Sequence, residues 1–377
     1  MSIKRSSQTR LQNIKQNYIW PILTGLLLAA LVLQLNRAPS AKFDAPYITS
    51  YADAAQIALP SVVNIYTSRT IHVENHPLLN DPVFKRFLNN NGARQRDKIE
   101  RSLGSGVIIS SNGYVLTNNH VIDEADRIRV LLADGRERLA TVIGSDAPTD
   151  LAVLKIDLDN LTPAIFANPK TIRIGDIVLA IGNPYGIGQT VTQGIVSATG
   201  RYGLQINTYE KYIQTDAAIN TGNSGGALVN AYGELIGINS GLYSKTGGSN
   251  GIGFAIPIDI ASYVFENIVE HGQVVRGWLG ISAEEITPSV AEAFNLKSLR
   301  GLVLTDIEAQ GPADKAGLQV GDIITHIDNA TVGNGNAGMH QIAQTKPGTK
   351  INIRAMRKGD SKSFLVDIGL RPQIKSD

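Results

Sequence analysis

One serine in this 377-residue chain lies in a setting suited to nucleophilic attack. Ser224 belongs to the segment TGNSGG, residues 221–226, where small residues allow a tight turn that aims backbone N–H groups at one point. A serine nucleophile forms a tetrahedral intermediate whose oxyanion needs donors fixed before the charge develops, and one donor contributes about 3–4 kcal/mol. We predict that the N–H groups of Gly222 and Ser224 are these donors. Taken alone, the motif also fits a glycine turn with a structural serine.

A serine hydroxyl needs a base within hydrogen-bond reach before it can attack at neutral pH. The chain has six histidines, and only His120, in TNNHVI, follows a predicted strand within the first half of the globular body. The others fall in a loop-like segment or at and beyond a predicted domain boundary: His72, His76, His271, His326 and His340. Elimination therefore selects His120 as the general base. The alternative is a core histidine without a catalytic role.

The base in turn needs a carboxylate on its other ring nitrogen. Asp150 begins the apolar segment TDLAVLKI, and a carboxylate at the mouth of such a strand would be partly buried and would need a partner. Three competing acids lie in turn-like sequence that we expect to be more solvated: Asp123, Asp126 and Asp146. We therefore predict a catalytic triad of His120, Asp150 and Ser224. A helix-cap or ion-pair role for Asp150 is the alternative.

Composition excludes several other kinds of chemistry and partner. The chain has no cysteine, which rules out disulfides, zinc ribbons and thiol catalysis. The predicted chemistry requires no cofactor, and no metal site is predicted. The net charge is +2, but four basic residues lie in residues 1–17, so the rest of the chain has a slight excess of acid. A nucleic-acid partner is therefore not expected.

The N-terminus is predicted to anchor the chain in a membrane. Residues 18–35, YIWPILTGLLLAALVLQL, carry no charge. As a helix they would extend about 27 Å, close to the thickness of the hydrocarbon core of a bilayer. The basic tail 1–17 should remain in the cytoplasm, which makes a single-pass protein with its body outside. The alternative is a cleaved signal peptide, with a weak cleavage site at residues 38–40.

The exported part is predicted to contain a linker, residues 36–50, and two domains, residues 51–272 and 277–371. The first domain has short runs rich in β-branched residues and bounded by Gly, Asn or Asp, which predict an all-β barrel or sandwich. The predicted strands are 62–67, 106–109, 114–117, 128–132, 151–156, 177–181 and 235–238. Residues 68–101 are predicted to form a long surface loop.

Helical periodicity is limited to a few segments. Apolar residues at helical spacing predict a helix over 258–270, which His271-Gly272 would end. In the second domain, helices are predicted near 312–318 and 336–345, among short strands.

Taken together, these motifs resemble the HtrA/Deg family of serine proteases. TNNHVI, TDLAVLKI and TGNSGGALVN follow one another in the order His, Asp, Ser, and LGSGVIIS, AIGNPYG, TQGIVSATGR, IQTDAAIN and GIGFAIP extend the match over about residues 51–375. The resemblance implies a chymotrypsin-like double β-barrel followed by an α+β PDZ domain. One anchor, one protease domain and one PDZ domain look like the membrane-anchored DegS type of this family.

The resemblance also implies where a substrate side chain would bind. The segment IGINS, residues 236–240, is similar to the wall of the family's S1 pocket, and the pocket would be small, apolar and free of buried acid. Its predicted residues are Ile219, Ile238, Asn239 and Ser240. Cleavage after small aliphatic residues such as Val or Ala is therefore expected. The alternative is that these residues only fill the barrel.

Two further sites are implied by the resemblance alone. RGWLGI, residues 276–281, matches the carboxylate-binding loop of PDZ domains, which bind C-terminal peptides by strand addition. Trp278, Leu279 and Gly280 are therefore expected to bind peptide, and a strand start with a core tryptophan is the alternative. Arg201, in ATGRYGL, occupies the position of the family's activation-loop arginine. A surface arginine without such a role is the alternative.

Members of this type are periplasmic homotrimers of the inner membrane that initiate envelope-stress signalling. The resemblance thus implies activation by C-terminal peptides of misfolded outer-membrane proteins and cleavage of a membrane-bound anti-sigma factor. Two other functions stay open: a constitutive quality-control protease of the periplasm, and a peptide-binding scaffold whose triad is idle. The anchor and the single PDZ domain favour the signalling protease, and the complete triad argues against the scaffold.

Overall fold

The computed structural model of the chain describes residues 20–35, 50–71, 98–183, 188–220, 222–242, 250–293, 301–333 and 335–372. The chain divides into two units, Met1–Ser50 and Tyr51–Asp377. In the first unit, helix α1 (Trp20–Leu35) has 16 residues, fewer than the roughly 20 that a typical membrane span needs. Among the described residues, no helix combines the length and apolar character required to cross a bilayer. The predicted anchor over 18–35 therefore stays a prediction, and residues 18–19 lie outside the described part.

The second unit begins with a short helix and an antiparallel sheet of seven strands. Helix α2 (Ala52–Ala58) runs into a 3₁₀ turn, Leu59–Ser61, which contains Pro60. The sheet order is β5-β4-β1-β2-β3-β7-β6. The strands are β1 (Val62–Ile71), β2 (Lys98–Ile108), β3 (Tyr114–Thr117), β4 (Arg127–Leu131), β5 (Glu137–Leu139), β6 (Thr141–Asp146) and β7 (Leu151–Lys155). Helix α3 (Asn119–Ile122) follows β3.

Strands β1 and β2 form a longer hairpin than the sequence predicted. Their pairing runs from Val62 opposite Val107 to Ile71 opposite Lys98. The predicted loop over 68–101 is therefore wrong at both ends, where residues 68–71 and 98–101 are strand. This extension is mostly polar, and its backbone groups pair with one another, so the hydrophobic pattern gave no sign of it. Residues 72–97 lie outside the described residues.

The second group of strands closes on itself. Six strands form a barrel in the order β10-β13-β12-β11-β8-β9. They are β8 (Ile177–Gly182), β9 (Thr190–Arg201), β10 (Tyr212–Thr215), β11 (Ala227–Asn230), β12 (Leu235–Leu242) and β13 (Gly253–Pro257). The expected double barrel is thus present as one closed barrel and one seven-stranded sheet whose edge strands, β5 and β6, do not pair with each other.

Helix α4 (Ile258–His271) joins the two groups of strands through one face. Its buried residues lie at helical spacing and belong to a core shared with both the first sheet and the second barrel. The helix ends at Gly272, which adopts a left-handed conformation and donates its N–H to the carbonyl of Ile268 at 2.9 Å. Glycine tolerates this conformation without the strain that a side chain would bring. The predicted helix end is therefore close to the observed one.

The C-terminal region, residues 277–372, contains a second antiparallel sheet with three helices. The sheet order is β15-β16-β17-β19-β20, and β18 pairs with β17. The strands are β14 (Gly277–Trp278), β15 (Ile281–Glu285), β16 (Leu302–Ile307), β17 (Ile323–Ile327), β18 (Ala330–Thr331), β19 (Lys350–Arg357), β20 (Asp360–Asp367) and β21 (Gly369–Leu370). The helices are α5 (Pro288–Ala293), α6 (Pro312–Lys315) and α7 (Gly335–Gln344). Strand β15 lies at one edge of this sheet.

Candidate active site

His120 and Asp150 meet because the strands beside them are paired. Thr117, the last residue of β3, lies opposite Ala152 of β7, so residues just beyond these strand ends are neighbours. His120 Nδ1 lies 2.8 Å from Asp150 Oδ2, and the backbone N–H of His120 donates to Asp150 Oδ1 at 3.0 Å. Asp150 therefore binds both the ring and the backbone of the histidine, which fixes the direction of the imidazole.

Hydrogen bonds to its backbone fix Asp150 in a buried position. Its φ of 57° is left-handed, a conformation uncommon for a residue with a side chain. Its carbonyl accepts from Asn119 N at 3.1 Å and from Asn118 Nδ2 at 2.9 Å. Asp150 is 8 % exposed, whereas the His120 side chain is 51 % exposed. The carboxylate is thus fixed by the protein while the imidazole remains accessible.

Ser224 lies in the turn between β10 and β11. Its hydroxyl donates to the carbonyl of Ser240 at 3.0 Å, and Ser240 Oγ donates to Asp150 Oδ2 at 3.2 Å. Ser240 thus links Ser224 to the His120–Asp150 pair. Within the described part of the chain, no hydrogen bond joins Ser224 Oγ to His120. Such bonds are often loose in proteins without substrate and tighten only in the complex.

The turn that carries Ser224 leaves two N–H groups unused. Gly222 and Gly225 have φ values of 101° and 81°, which favour glycine. Across the described residues, the N–H groups of Gly222 and Ser224 donate to no protein acceptor. The adjacent N–H groups all do so: Asn223 to Asn220 O, Gly225 to Asn239 O and Gly226 to Asn223 O. This is the hydrogen-bonding pattern that an oxyanion site requires.

The predicted S1 residues are all buried, but they do not form one cluster. Ile219 packs in the interior of the second barrel, and Ile238 packs in the core that the barrel shares with α4. Asn239 Nδ2 donates to the carbonyl of Ala227 at 2.9 Å, so this side chain supports the barrel. Ser240 makes the two contacts already described. The S1 assignment stays a prediction.

Arg201 ends β9 on the surface of the second barrel. Its Nε donates to Gln214 Oε1 at 2.9 Å, and its backbone lies opposite Tyr212 of β10. These contacts tie it to the neighbouring strand of the same barrel. The predicted activation role is therefore neither supported nor excluded by its position.

Trp278, Leu279 and Gly280 line a cleft of about 450 Å³ between β15 and α7. Gly280 has a φ of 70°, and a Cβ there would lie 3.1 Å from the Trp278 ring, so the tryptophan needs a glycine at this position. Over the described residues, the N–H groups of Leu279 and Gly280 donate to no protein acceptor, while the Leu279 carbonyl accepts from Ala313 N at 3.0 Å. The cleft therefore offers two free donors beside the exposed edge of β15.

The sequence did not reveal three residues that also line this cleft: Tyr209, Met339 and Arg371. Tyr209 belongs to the loop between β9 and β10, and Arg371 follows β21. Arg371 Nη1 donates to the Tyr209 hydroxyl, and Tyr209 N donates to the carbonyl of Pro148 at 2.9 Å. No local motif could have indicated this contact, because the residues are far apart in the chain.

Arg276 joins the C-terminal region to the first sheet. Its Nη1 and Nη2 donate to Asp146 Oδ1 and Oδ2 at 2.7 and 2.5 Å, and its guanidinium lies 4.4 Å from the Tyr209 ring centroid. The prediction that Asp146 is a solvated turn residue is therefore wrong: Asp146 is 5 % exposed. The first residue of the RGWLGI segment serves this contact and does not line the cleft.

His340 lies beside the same contact. It is 6 % exposed, and its ring centroid is 5.8 Å from that of Tyr202 and 5.6 Å from that of Tyr209. Among the described residues, its Nε2 is buried without a hydrogen-bond partner. Burial lowers the pKa of His340 from its ordinary value. The imidazole is therefore held in its neutral form in this position.

No group of three or more His, Asp or Glu side chains in the described ranges is arranged to hold a metal ion. The groups assembled at the first site are the Ser224, His120 and Asp150 side chains and the free backbone donors of the turn. The second site is a cleft with two free backbone N–H groups beside the edge strand β15.

Comparison with known proteins gives two family matches. Residues 104–238 match the trypsin-like peptidase domain, and residues 277–368 match the PDZ domain. The first range contains His120, Asp150 and Ser224, and the second contains Trp278, Leu279 and Gly280.

Several full-length relatives are similar over most of the chain. The serine endoprotease DegS of Escherichia coli strain K12 is 41 % identical over 360 residues, which cover 92 % of this chain and 95 % of the relative. A probable periplasmic serine endoprotease, DegP-like, of Halomonas elongata is 37 % identical over 366 residues, covering 93 % of this chain and 75 % of the relative. The solved structure of the HtrA-type protease AlgW with decapeptide is 50 % identical, with a TM-score of 0.72, and the match covers 86 % of this chain and all of that one.

Proposed function

Because the chain belongs to the HtrA family, as a DegS-like serine endoprotease of the periplasm with one PDZ domain, we propose that it is a signalling protease. In this proposal, C-terminal peptides of misfolded outer-membrane proteins bind the PDZ domain and activate cleavage of an envelope anti-sigma factor. The observation that supports the catalytic part is the 2.8 Å contact between His120 Nδ1 and Asp150 Oδ2, with Ser240 linking this pair to Ser224.

The reaction follows from these contacts. The Ser224 hydroxyl turns from the Ser240 carbonyl towards His120, which takes its proton as the oxygen attacks the scissile carbonyl. Asp150 keeps the imidazole oriented and stabilises the imidazolium. The free N–H groups of Gly222 and Ser224 bind the oxyanion. His120 then protonates the leaving amine, and a water molecule activated by His120 hydrolyses the acyl-enzyme.

Substrate preference is proposed from the resemblance of the segment 236–240 to the wall of the family's S1 pocket. Ile219 and Ile238 are apolar and buried, and Asn239 and Ser240 are engaged by protein groups. Neither isoleucine is accompanied by a buried acid in the segment 236–240. A small aliphatic P1 residue such as Val or Ala would fit without leaving a charge unpaired.

Peptide binding is proposed to occur by strand addition to β15. This strand lies at the edge of its sheet, and the cleft between it and α7 is open beside it. The unused N–H groups of Leu279 and Gly280 would hold the terminal carboxylate, and Trp278 would border it. Arg201 is proposed to transmit peptide binding to the nucleophile turn, on the family resemblance alone.

Assembly and anchoring complete the proposal. Large apolar side chains are exposed on one side of the second barrel and α2: Ile57 at 47 %, Ile165 at 56 % and Tyr232 at 72 %. The segments that carry them are neighbours, because a Cβ at Gly233 would lie 3.0 Å from Ile57 Cβ and Leu235 N donates to the carbonyl of Ile165 at 2.6 Å. Exposed apolar side chains of this kind favour contact with another protein surface, and a homotrimer is proposed on the family resemblance. The uncharged segment 18–35 supports a single-pass anchor in the inner membrane.

One experiment tests the proposal against its alternatives. The full chain is incubated with an anti-sigma-factor ectodomain and separately with unfolded casein, with and without a peptide that ends as outer-membrane proteins do. Peptide-dependent cleavage of the ectodomain alone is expected. Equal cleavage of both proteins without peptide would indicate constitutive quality control.

Ser224→Ala is the control for this experiment. It should abolish cleavage, and in the presence of the peptide a serine-directed phosphonate should label the wild-type chain but not the variant. Absence of labelling in the wild-type chain would leave only the scaffold function.

A further inference from the structure

Ser105 lies fully buried where β2 passes behind the nucleophile turn. It is 0 % exposed and belongs to the segment LGSGVIIS. Its backbone N–H donates to the carbonyl of Ser224 at 2.9 Å, and its hydroxyl donates to the carbonyl of Gly222 at 2.6 Å. One residue thus binds the carbonyls of both residues whose N–H groups are the proposed oxyanion donors.

The Ser105 hydroxyl also holds a second loop. Its oxygen accepts from the N–H of Asn183, just beyond β8, at 2.9 Å. A hydroxyl has a single proton, and here that proton is committed to Gly222. Ser105 is itself fixed, because Thr117 Oγ1 donates to its carbonyl at 2.7 Å. The hydroxyl is therefore a fixed bridge between the nucleophile turn and the segment after β8.

Three glycines let backbone approach Ser105 closely. A Cβ at Gly225 would lie 2.2 Å from Ser105 O, one at Gly182 would lie 3.0 Å from Ser105 Oγ, and one at Gly226 would lie 3.2 Å from Ser105 Cβ. The first distance is shorter than real Cβ contacts, so Gly225 must be a glycine beside Ser105, and the other two are tight contacts. Backbone therefore packs closely around Ser105.

We propose that Ser105 is a positioning residue for the oxyanion hole. Gly222, with a φ of 101°, lacks the side chain that would restrict its backbone, so a hydrogen bond to its carbonyl is needed to fix the orientation of the turn. Without that bond, the peptide groups on both sides of Gly222 can rotate, and the donors are no longer aligned before charge develops. The inference rests on the proposed roles of Gly222 and Ser224.

The first test compares Ser105→Ala with Ser61→Ala in the full chain. Ser61 is a matched control, since it is 1 % exposed and its hydroxyl donates to the carbonyl of Ala58 at 2.7 Å, away from the site. Ser61→Ala loses one buried hydrogen bond and Ser105→Ala loses two, so the decrease in melting temperature should be larger for Ser105→Ala. On a small-aliphatic P1 peptide substrate, Ser105→Ala should lower kcat about 10- to 100-fold, because small displacements of fixed groups have effects of this size. KM should change less than about twofold, and Ser61→Ala should retain wild-type kcat.

A peptide boronate separates positioning from general loosening. The boronate forms a tetrahedral adduct whose oxygen occupies the oxyanion site, so its inhibition constant should rise by the same factor by which kcat/KM falls. A purely structural defect would lower the amount of active enzyme and leave the inhibition constant of the remainder unchanged. If Ser105→Ala does not fold, Ser105→Cys provides the same comparison with a weaker donor.

The proposal is overturned if either variant at Ser105 keeps kcat within twofold of Ser61→Ala, or if the boronate inhibition constant does not change. Failure of the proposed function looks different. Activity in Ser224→Ala, or no phosphonate labelling of the wild-type chain in the presence of the peptide, would remove the nucleophile assignment irrespective of how Ser105 variants behave.

Discussion

Asp146 and Asp150 lie at the two ends of one 3₁₀ turn, Ala147–Thr149, and both are buried, but their partners differ in exposure. Asp150 binds His120, whose side chain is 51 % exposed, whereas Asp146 binds Arg276, whose side chain is 10 % exposed. The first partner has one side free for a substrate. The second is enclosed between the first sheet and the C-terminal region.

The comparison shows that burial of an acid does not by itself reveal its role. A carboxylate that orients a catalytic base holds a partner that must still exchange protons with a substrate. A carboxylate that joins two parts of the molecule binds a partner whose charge is balanced by protein groups alone. Exposure of the partner, and not of the acid, distinguishes the two cases.

The largest expected effect comes from exchanging each aspartate for asparagine. Asp150→Asn should lower kcat about 10⁴-fold, because an amide stabilises the wrong tautomer of His120 and cannot balance the imidazolium. Asp146→Asn should lower kcat by less than about tenfold. Peptide hydrolysis and melting temperature of both variants are the measurements. Equal losses of kcat would remove the functional distinction between the two aspartates.

A smaller effect is expected from breaking the buried ion pair between Arg276 and Asp146. Arg276→Ala leaves the Asp146 carboxylate buried without its guanidinium, which typically costs about 3–5 kcal/mol. We expect the C-terminal region to separate from the first sheet at a lower guanidinium concentration than in the wild type. Circular dichroism and tryptophan fluorescence measure this transition. Arg357→Ala is the matched control, since Arg357 binds buried Asp322 within the C-terminal region. A single unfolding transition at the wild-type midpoint would contradict this role of Arg276.

Acid should lower the free energy of unfolding through His340, which lies beside the contact between Arg276 and Tyr209. Because burial lowers the pKa of His340, the unfolded state takes up a proton first as the pH falls through the ordinary histidine value of 6.5. The free energy of unfolding should therefore fall from about pH 7 down to the folded-state pKa and then level off. Lys211 and Arg276 disfavour the added charge, while Asp259 and the Glu210 carbonyl favour it. His340→Phe keeps an aromatic ring and should show a shallower dependence on pH; equal slopes would exclude His340.

The smallest effect concerns the hydroxyl of Tyr209. Tyr209→Phe removes the acceptor for Arg371 but keeps the ring beside Arg276 and His340. The loss of one such hydrogen bond should lower the free energy of unfolding by about 0.5–1.5 kcal/mol. Denaturant titration of the variant measures it. A loss as large as that of Arg276→Ala would mean that the hydroxyl, and not the ion pair, dominates the contact.

The sequence predicted elements whose signal is local. The strand at 114–117 and the helix near 258–270 were found at nearly their observed bounds, because β-branched runs and helical spacing are contained in the segments themselves. The hairpin ends at 68–71 and 98–101 were missed, since mostly polar strands have no hydrophobic pattern. The sequence motifs also singled out His120 and Asp150, whose side chains lie 2.8 Å apart in the structure.

Other parts of the sites depend on contacts that no local pattern contains. Burial of Asp146 is determined by Arg276, which lies 130 positions later. Tyr209 reaches the cleft only because the C-terminal region lies against its loop. The hydrogen bond from Ser240 to Asp150 likewise joins positions 90 apart. The sequence predicted Ser240 only as part of the S1 pocket and did not indicate this bond. Such contacts follow from tertiary packing, which one sequence does not display.

The β1–β2 hairpin has a consequence for how this protein can diversify. Because Ile71 lies opposite Lys98, the chain leaves and re-enters the folded body at points about 5 Å apart. For a flexible insert between such points, each doubling of length adds only about 0.6 kcal/mol of closure entropy. Segments of different length and composition can therefore be exchanged at this position in evolution, or spliced there by design, while the seven-stranded sheet and the closed barrel keep their geometry.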